Sequence, residues 1–185
     1  MSVIVARWRD WPGTGLQHVV LEQRPDAIVA EAAVLAATDE STSFAAHFRI
    51  LCDAAWRTRR VRAHVIGDDR RIDLVSHGDA RWRDASGAER PDLDGAFDVD
   101  FNITPFTNTL PIRRLKLGPG QSTDLRVVYI SLPDFIVTTD PQRYTCLDPG
   151  RTWRFESLDT DFSREIRVDS DGLVVTYPGL FRRIQ

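Results

Sequence analysis

The chain is poor in the residues that staple, metallate or anchor a protein. It has two cysteines among 185 residues, Cys52 and Cys146, widely separated. A disulfide between them is possible but not forced, and two free, buried thiols are the expected state. A chain of this length buries roughly 70% of its unfolded surface and needs no such staple. No stretch approaches the roughly 20 apolar residues of a membrane-spanning helix, so stable membrane insertion is not expected. The opening MSVIVARWRDWPG has an apolar run too short for the core of a signal peptide, which makes the cytoplasm the expected location. Lysine is nearly missing: Lys116 is the only one, and every other basic side chain is arginine. Net charge is −3 and the pI is about 5.8. That balance argues against non-specific nucleic-acid binding.

Catalytic signatures are missing as well. His18, His47, His64 and His77 have no metal-ligand spacing, and there is no HExxH, no GxSxG and no glycine-rich phosphate loop. DVDFN sets Asp98, Asp100 and Asn102 at the alternation that opens a calcium loop. The sixth position is however Ile103 instead of glycine, and the twelfth is Thr109 instead of glutamate, so neither metal nor other cofactor is expected. Cys52 precedes Asp53 and Cys146 lies in an apparent strand, so neither has the surroundings of an activated thiolate. The route left to catalysis is an acid–base pair made only by the fold, such as Asp53 with His47. A small hydrolase or isomerase is the alternative that this route keeps open.

What is present is β-structure. In LRVVYISL, Arg126, Val128 and Ile130 alternate with Val127, Tyr129 and Ser131. RTWRFES sets Trp153 and Phe155 against Arg154 and Glu156. VRAHV sets Val61, Ala63 and Val65 inward. RVDSDGLVVTY reads as a hairpin turning at Asp171-Gly172. DAIVAEAAVLAATDE (Asp26 to Glu40) has the alanine content of a helix and Asp26 as a candidate cap. Ala27, Val29, Ala33 and Leu35 also share one strand face. The strand reading is preferred, followed by a turn from Thr38 to Ser43 and a return along FAAHFRIL. No linker or repeat divides the chain, so residues 1–185 are read as one domain.

TPFTNTLPIRRL interrupts the strands. Pro105 and Pro111 each remove a ladder donor, which excludes a central strand. A short helix near Asn108 to Leu117 fits, with Asn108 as cap and Pro111 tolerated in the first turn. On its wheel Leu110 and Leu117 share one side, and Ile112 and Leu115 lie towards the other. A helix apolar on two sides is enclosed, so Arg113 and Arg114 must find carboxylates or reach a polar cavity. Asp94, Asp98 and Asp100 are the candidate partners.

LDGAFDVDFNITPFTNTLPIRRLKL, CDAAWRTRRV, PDFIVTTDPQRYTCL and DGLVVTYPGLFRR together carry a resemblance. The chain resembles, over nearly its whole length, the glycolipid-binding family of bacterial proteins, long catalogued as a domain of unknown function. The resemblance implies a spiral β-roll, similar to the carriers that move lipoproteins between bacterial membranes. The expected fold is thus mainly β, an antiparallel roll or half-barrel wrapped around a single short helix. The expected function is non-catalytic binding of a glycolipid or other amphiphile inside the curved sheet. Candidate ligand contacts are Arg113 and Arg114, which can grip phosphate or carboxylate, and the nearby carboxylates Asp98 and Asp100. Trp8, Trp11, Trp56, Trp82 and Trp153 can offer flat faces to sugars or pack the core, and Trp56 is taken as a contact. Tyr144 and Tyr177, polar at the tip of an apolar body, suit a pocket mouth.

Overall fold

The computed structural model describes residues 1–37 and 43–184. Its strands are β1 (Ser2–Asp10), β2 (Leu16–Gln23), β3 (Ala27–Ala37), β4 (Ser43–Asp53), β5 (Thr58–Val65), β6 (Arg71–Ser76) and β7 (Trp82–Asp84). They continue as β8 (Asp98–Phe101), β9 (Ser122–Ser131), β10 (Ile136–Asp148), β11 (Thr152–Ser157), β12 (Ser163–Val168), β13 (Val174–Tyr177) and β14 (Phe181–Ile184). Among the described residues the one α-helix, α1, spans Thr109–Leu115 and follows directly on a 3-10 turn at Phe106–Asn108.

All 14 strands form one curved, unclosed sheet, ordered β7 to β1, then β14 back to β8. Two sequential arms therefore meet along a seam, where β1 pairs with β14 and Arg7 stands opposite Ile184. Every pairing between strands is antiparallel except β8 with β9, which is parallel. Parallel neighbours need a crossover, and the segment carrying α1 supplies it. The two sheet ends approach each other: the Thr58 N–H donates to the Phe97 carbonyl at 2.9 Å, and the Trp82 indole donates to the Ala96 carbonyl at 2.9 Å.

Alternation explains most of the strands. In β3, Ala30, Ala32 and Val34 are buried while Glu31, Ala33 and Leu35 are exposed, so the alanine-rich segment is a strand. Short alanine side chains on the inner faces of β3, β4 and β5 leave room beneath them for Phe48 and Phe101, stacked with ring centroids 4.9 Å apart. The turn expected between Thr38 and Ser43 falls, at 38–42, outside the described residues.

Two apolar clusters flank the helix. The larger joins β1–β6 to β8 and β9 and takes Leu110 from α1. The smaller lies on β10–β13 and takes Ile112, with Leu115 and Leu117 packed against it. Leu117 thus sides with Ile112 and not with Leu110 as the wheel predicts. The reason is local: the helix ends at Leu115, and Lys116, at φ +50°, turns the chain off the helical path. The expected cap also differs. Asn108 makes no capping bond, because the preceding 3-10 turn already holds it at φ −62°, ψ −24°, whereas a cap needs extended backbone. Its Oδ1 instead accepts from the Tyr144 hydroxyl at 2.9 Å. Cys52 and Cys146 are free and buried, and burial pushes both thiols up, which keeps them protonated.

Candidate functional site

Two recesses of opposite character open beside α1. The first, about 720 Å³, lies at the C-terminal end of the helix. The β4–β5 turn brings Trp56 and Arg57 to it. Asp53 Oδ1 accepts from the Ala55 and Arg57 N–H groups at 2.9 and 3.0 Å, and the turn leaves Trp56 at φ +65°. Lys116 also lines this recess with positive φ. Bulky side chains rarely adopt that conformation, and two of them at one recess mark a backbone held there by its surroundings. Arg57, Arg113, Arg114 and Lys116 supply four cations, Trp56, Phe97 and Trp153 the rings, and among the described residues no Asp or Glu lines the space. The Arg113 guanidinium lies over Trp56 at 5.1 Å, and those of Arg57 and Arg114 lie over Phe97 at 5.5 Å each. The Trp153 indole N–H is buried without a partner. Gly172 is required at the rim. It has φ +74°, and a Cβ there would sit 3.0 Å from Arg113 Cδ.

Arg114 differs from the other three cations. Its fork grips Asp98, with Nη2 at 2.6 Å and Nε at 3.1 Å, and the Asp98 side chain is 0% exposed. Burial pushes the Asp98 carboxyl up while Arg114 pulls it down. Among the described residues Arg57, Arg113 and Lys116 have no carboxylate partner of this kind.

The second recess, about 350 Å³, is acidic and aromatic. Gln142 Nε2 donates to Asp100 Oδ2 at 2.9 Å and to Asp140 Oδ2 at 2.8 Å. The Thr107 hydroxyl donates to Asp100 Oδ1 at 2.6 Å. Tyr129, Phe155, Phe162, Tyr177 and Phe181 line the walls, and among the described residues no Arg or Lys does. Burial dominates the electrostatics. It pushes Asp100 from an ordinary 3.8 up to about 6, raises Asp140, and pushes the Tyr144 and Tyr177 hydroxyls up.

Because the folded value of Asp100 lies above the unfolded one, its contribution to stability is fully present below about pH 4 and lost as pH rises through 6. Asp100→Asn lacks this loss. Relative to wild type it is expected to gain about 3 kcal/mol between pH 3.5 and 7 in urea unfolding. A difference that stays constant across this range would show that Asp100 titrates normally.

The sequence candidates are thus divided. Arg113, Arg114 and Trp56 line the basic recess, and Asp100 and Tyr177 the acidic one. Asp98 is the buried partner of Arg114. Tyr144 is 1% exposed and serves to hold Asn108. Asn102 lies past the end of β8 and instead bonds the Leu132 backbone in both directions. His47 pairs with Glu31 at 2.9 Å. Asp53 stands six residues further along the same strand, roughly 20 Å away, so the fold does not assemble that pair. Among the described residues no group of three or more His, Cys, Asp or Glu side chains is placed to hold a metal ion.

A sequence model of the family described as "Putative glycolipid-binding" matches residues 5–183. The chain belongs to this family. It is also similar to a solved structure of a DUF1089 family protein from Pseudomonas aeruginosa, at 34% identity, covering 96% of this chain and 95% of that one, with a TM-score of 0.81. No curated protein matches the chain. For this member of the glycolipid-binding family, the residues that sequence reasoning missed are Arg57 and Lys116 in one recess and Asp140 and Gln142 in the other. A signal did exist for the second pair. Asp140, Gln142 and Tyr144 alternate along β10, the pattern that puts polar groups on one face.

Proposed function

We propose that this member of the glycolipid-binding family is a non-catalytic binding protein for an amphiphile, a glycolipid or similar lipidic molecule, whose acidic headgroup occupies the basic recess. One observation carries the reading: among the described residues four cations and no carboxylate line a recess of about 720 Å³ that Trp56 and Trp153 also line. Arg114 is neutralised by Asp98, which leaves Arg57, Arg113 and Lys116 to attract phosphate or carboxylate. The unpartnered Trp153 N–H calls for an acceptor. Leu117 offers apolar surface to the first methylenes of a tail, each worth roughly 0.8 kcal/mol when buried.

The seat lies beside α1 and not between sheet and helix, where Trp8, Phe48, Phe106 and Leu110 are packed at 0–1% exposure. In this reading residues 1–185 act as one domain. No helix of the described residues is long and apolar enough to cross a membrane.

Native mass spectrometry with an acidic glycolipid and its neutral counterpart tests this. The acidic ligand is expected to be retained, and Arg113→Glu to weaken it at least tenfold, about 1.4 kcal/mol, with little change in melting temperature. Equal retention of both lipids, or of neither, would sink the assignment. Turnover of an ester, glycoside or phosphoester above a denatured control would remove its non-catalytic part.

A further inference from the structure

The basic recess gathers more positive charge than one singly charged group can answer. Arg57 and Arg114 lie over the same ring, Phe97, each 5.5 Å from its centroid, so their charges are at most twice that distance apart. Arg113 stands over Trp56, the residue next to Arg57 in the chain. Lys116, the only lysine of the chain, lines the same space. Arg57 and Lys116 are exposed and Arg113 is half-buried, so all three are open to a ligand.

The carboxylates nearby are engaged elsewhere. Asp98 is committed to Arg114. Asp53 accepts from the Ala55 and Arg57 N–H groups, and its other oxygen lies 3.6 Å from Arg59. Asp148 and Asp171 adjoin lining residues in the chain but do not line the recess themselves. Cations at the C-terminal end of a helix also complement its carbonyls, which accounts in part for Arg113 and Arg114. That account does not reach Arg57, which comes from the β4–β5 turn. Nor does it explain why Lys116 occupies a cap position at φ +50°, where glycine or asparagine is usual. Every other basic side chain is arginine, so a strained lysine here singles out a compact, strongly hydrated ammonium.

We infer that the acidic group seated here is a phosphomonoester, a terminal phosphate, and not a singly charged group such as a carboxylate or a sulfate ester. This rests on the amphiphile reading and deepens it. The reasoning is a charge count. With Arg114 neutralised by Asp98, Arg57, Arg113 and Lys116 remain. A carboxylate or sulfate ester would leave most of that charge unanswered. A phosphomonoester carries close to two negative charges at neutral pH and three strong acceptor oxygens. Guanidinium forks suit two of those oxygens, and an ammonium serves phosphate as a point charge.

Calorimetry on the unmodified protein compares hexyl phosphate with hexyl sulfate, which has the same tail and a tetrahedral head of one charge less. At pH 8 hexyl phosphate is expected to bind roughly tenfold tighter or more. The phosphate ester takes up a proton near pH 6, so this ratio should fall about fivefold or more at pH 5. Titration of the protein itself acts on both ligands alike. Lys116→Asn suits the left-handed cap, and should keep the melting temperature while weakening hexyl phosphate roughly tenfold and hexyl sulfate less. Hexyl sulfate and hexanoate binding as tightly as hexyl phosphate at both pH values would overturn the phosphate and leave an acidic-headgroup seat. Binding of none of the three would overturn both readings. Inorganic phosphate binding as tightly as hexyl phosphate would support the phosphate and remove the lipid that carries it. Unaltered binding of hexyl phosphate by Lys116→Asn would overturn the charge count and the proposal with it.

Discussion

Asp98→Ala is expected to lower the unfolding free energy by about 3–5 kcal/mol, read from urea denaturation. The Asp98 carboxylate is fully enclosed and is gripped by Arg114 through three contacts of 2.6–3.1 Å. Removing it strands a guanidinium whose side chain is only 18% exposed. Arg114→Ala strands the carboxylate, which can take up a proton, so its effect should be smaller as pH falls. Replacing both partners together, Asp98→Val with Arg114→Met, should recover much of the loss, since an apolar pair carries no desolvation penalty. Arg113→Ala is the control. It forfeits a cation–π contact worth about 0.5–1 kcal/mol, and should otherwise act on ligand retention. Single variants of Asp98 and Arg114 that both remain within 1 kcal/mol of wild type would remove the fastening role and give Arg114 to the basic recess.

Leu110→Ala should cost about 2–5 kcal/mol, by loss of buried surface and by the cavity left behind. Leu110 is 1% exposed and is α1's contribution to the larger cluster. A helix of seven residues is too short to persist by itself. Its position depends on Leu110 at one side, Ile112 at the other and the Asp98–Arg114 fork. Leu117→Ala, at a half-buried position of the smaller cluster, should cost clearly less. Equal costs would mean that the two clusters hold the helix alike. The larger loss should also weaken ligand retention at the basic recess, whose wall includes Ile112 and Arg113.

Most strands were legible because one face of each is buried, so side chains such as Val61, Ala63 and Val65 carry the period of two. The helix was legible through what its prolines forbid. Its cap was not, because the 3-10 turn before Thr109 depends on contacts that no local pattern encodes. The parallel β8–β9 pair was hidden for a similar reason: alternation reports which face is buried, not the direction of the neighbour. At the candidate site, proximity in sequence left Asp94, Asp98 or Asp100 to pair with Arg113 or Arg114, and the fold selects Asp98 with Arg114, 16 residues apart. The basic recess needs Arg57 from the β4–β5 turn, Trp153 from β11 and Gly172 from the turn before β13, and only folding brings these together. Arg113 and Arg114 were named as ligand contacts together with Asp100, but they line one recess and Asp100 another.

The seam between β1 and β14 sets an order in time. Each arm is a run of neighbours in sequence, mostly hairpins, and can assemble through short loop closures. The seam joins Arg7 to Ile184, and the loop entropy for such a contact exceeds that of a hairpin by on the order of 3 kcal/mol. The four residue pairs of the seam cannot offset this while both arms are loose. Once the arms have formed, the chain between them is no longer free and most of that entropy has already been lost. Trp8, on β1, then reaches across the seam to donate to the Val174 carbonyl at 2.7 Å. The join in the middle of the finished sheet is therefore expected to be the late event in its folding, and the outer hairpins the early ones.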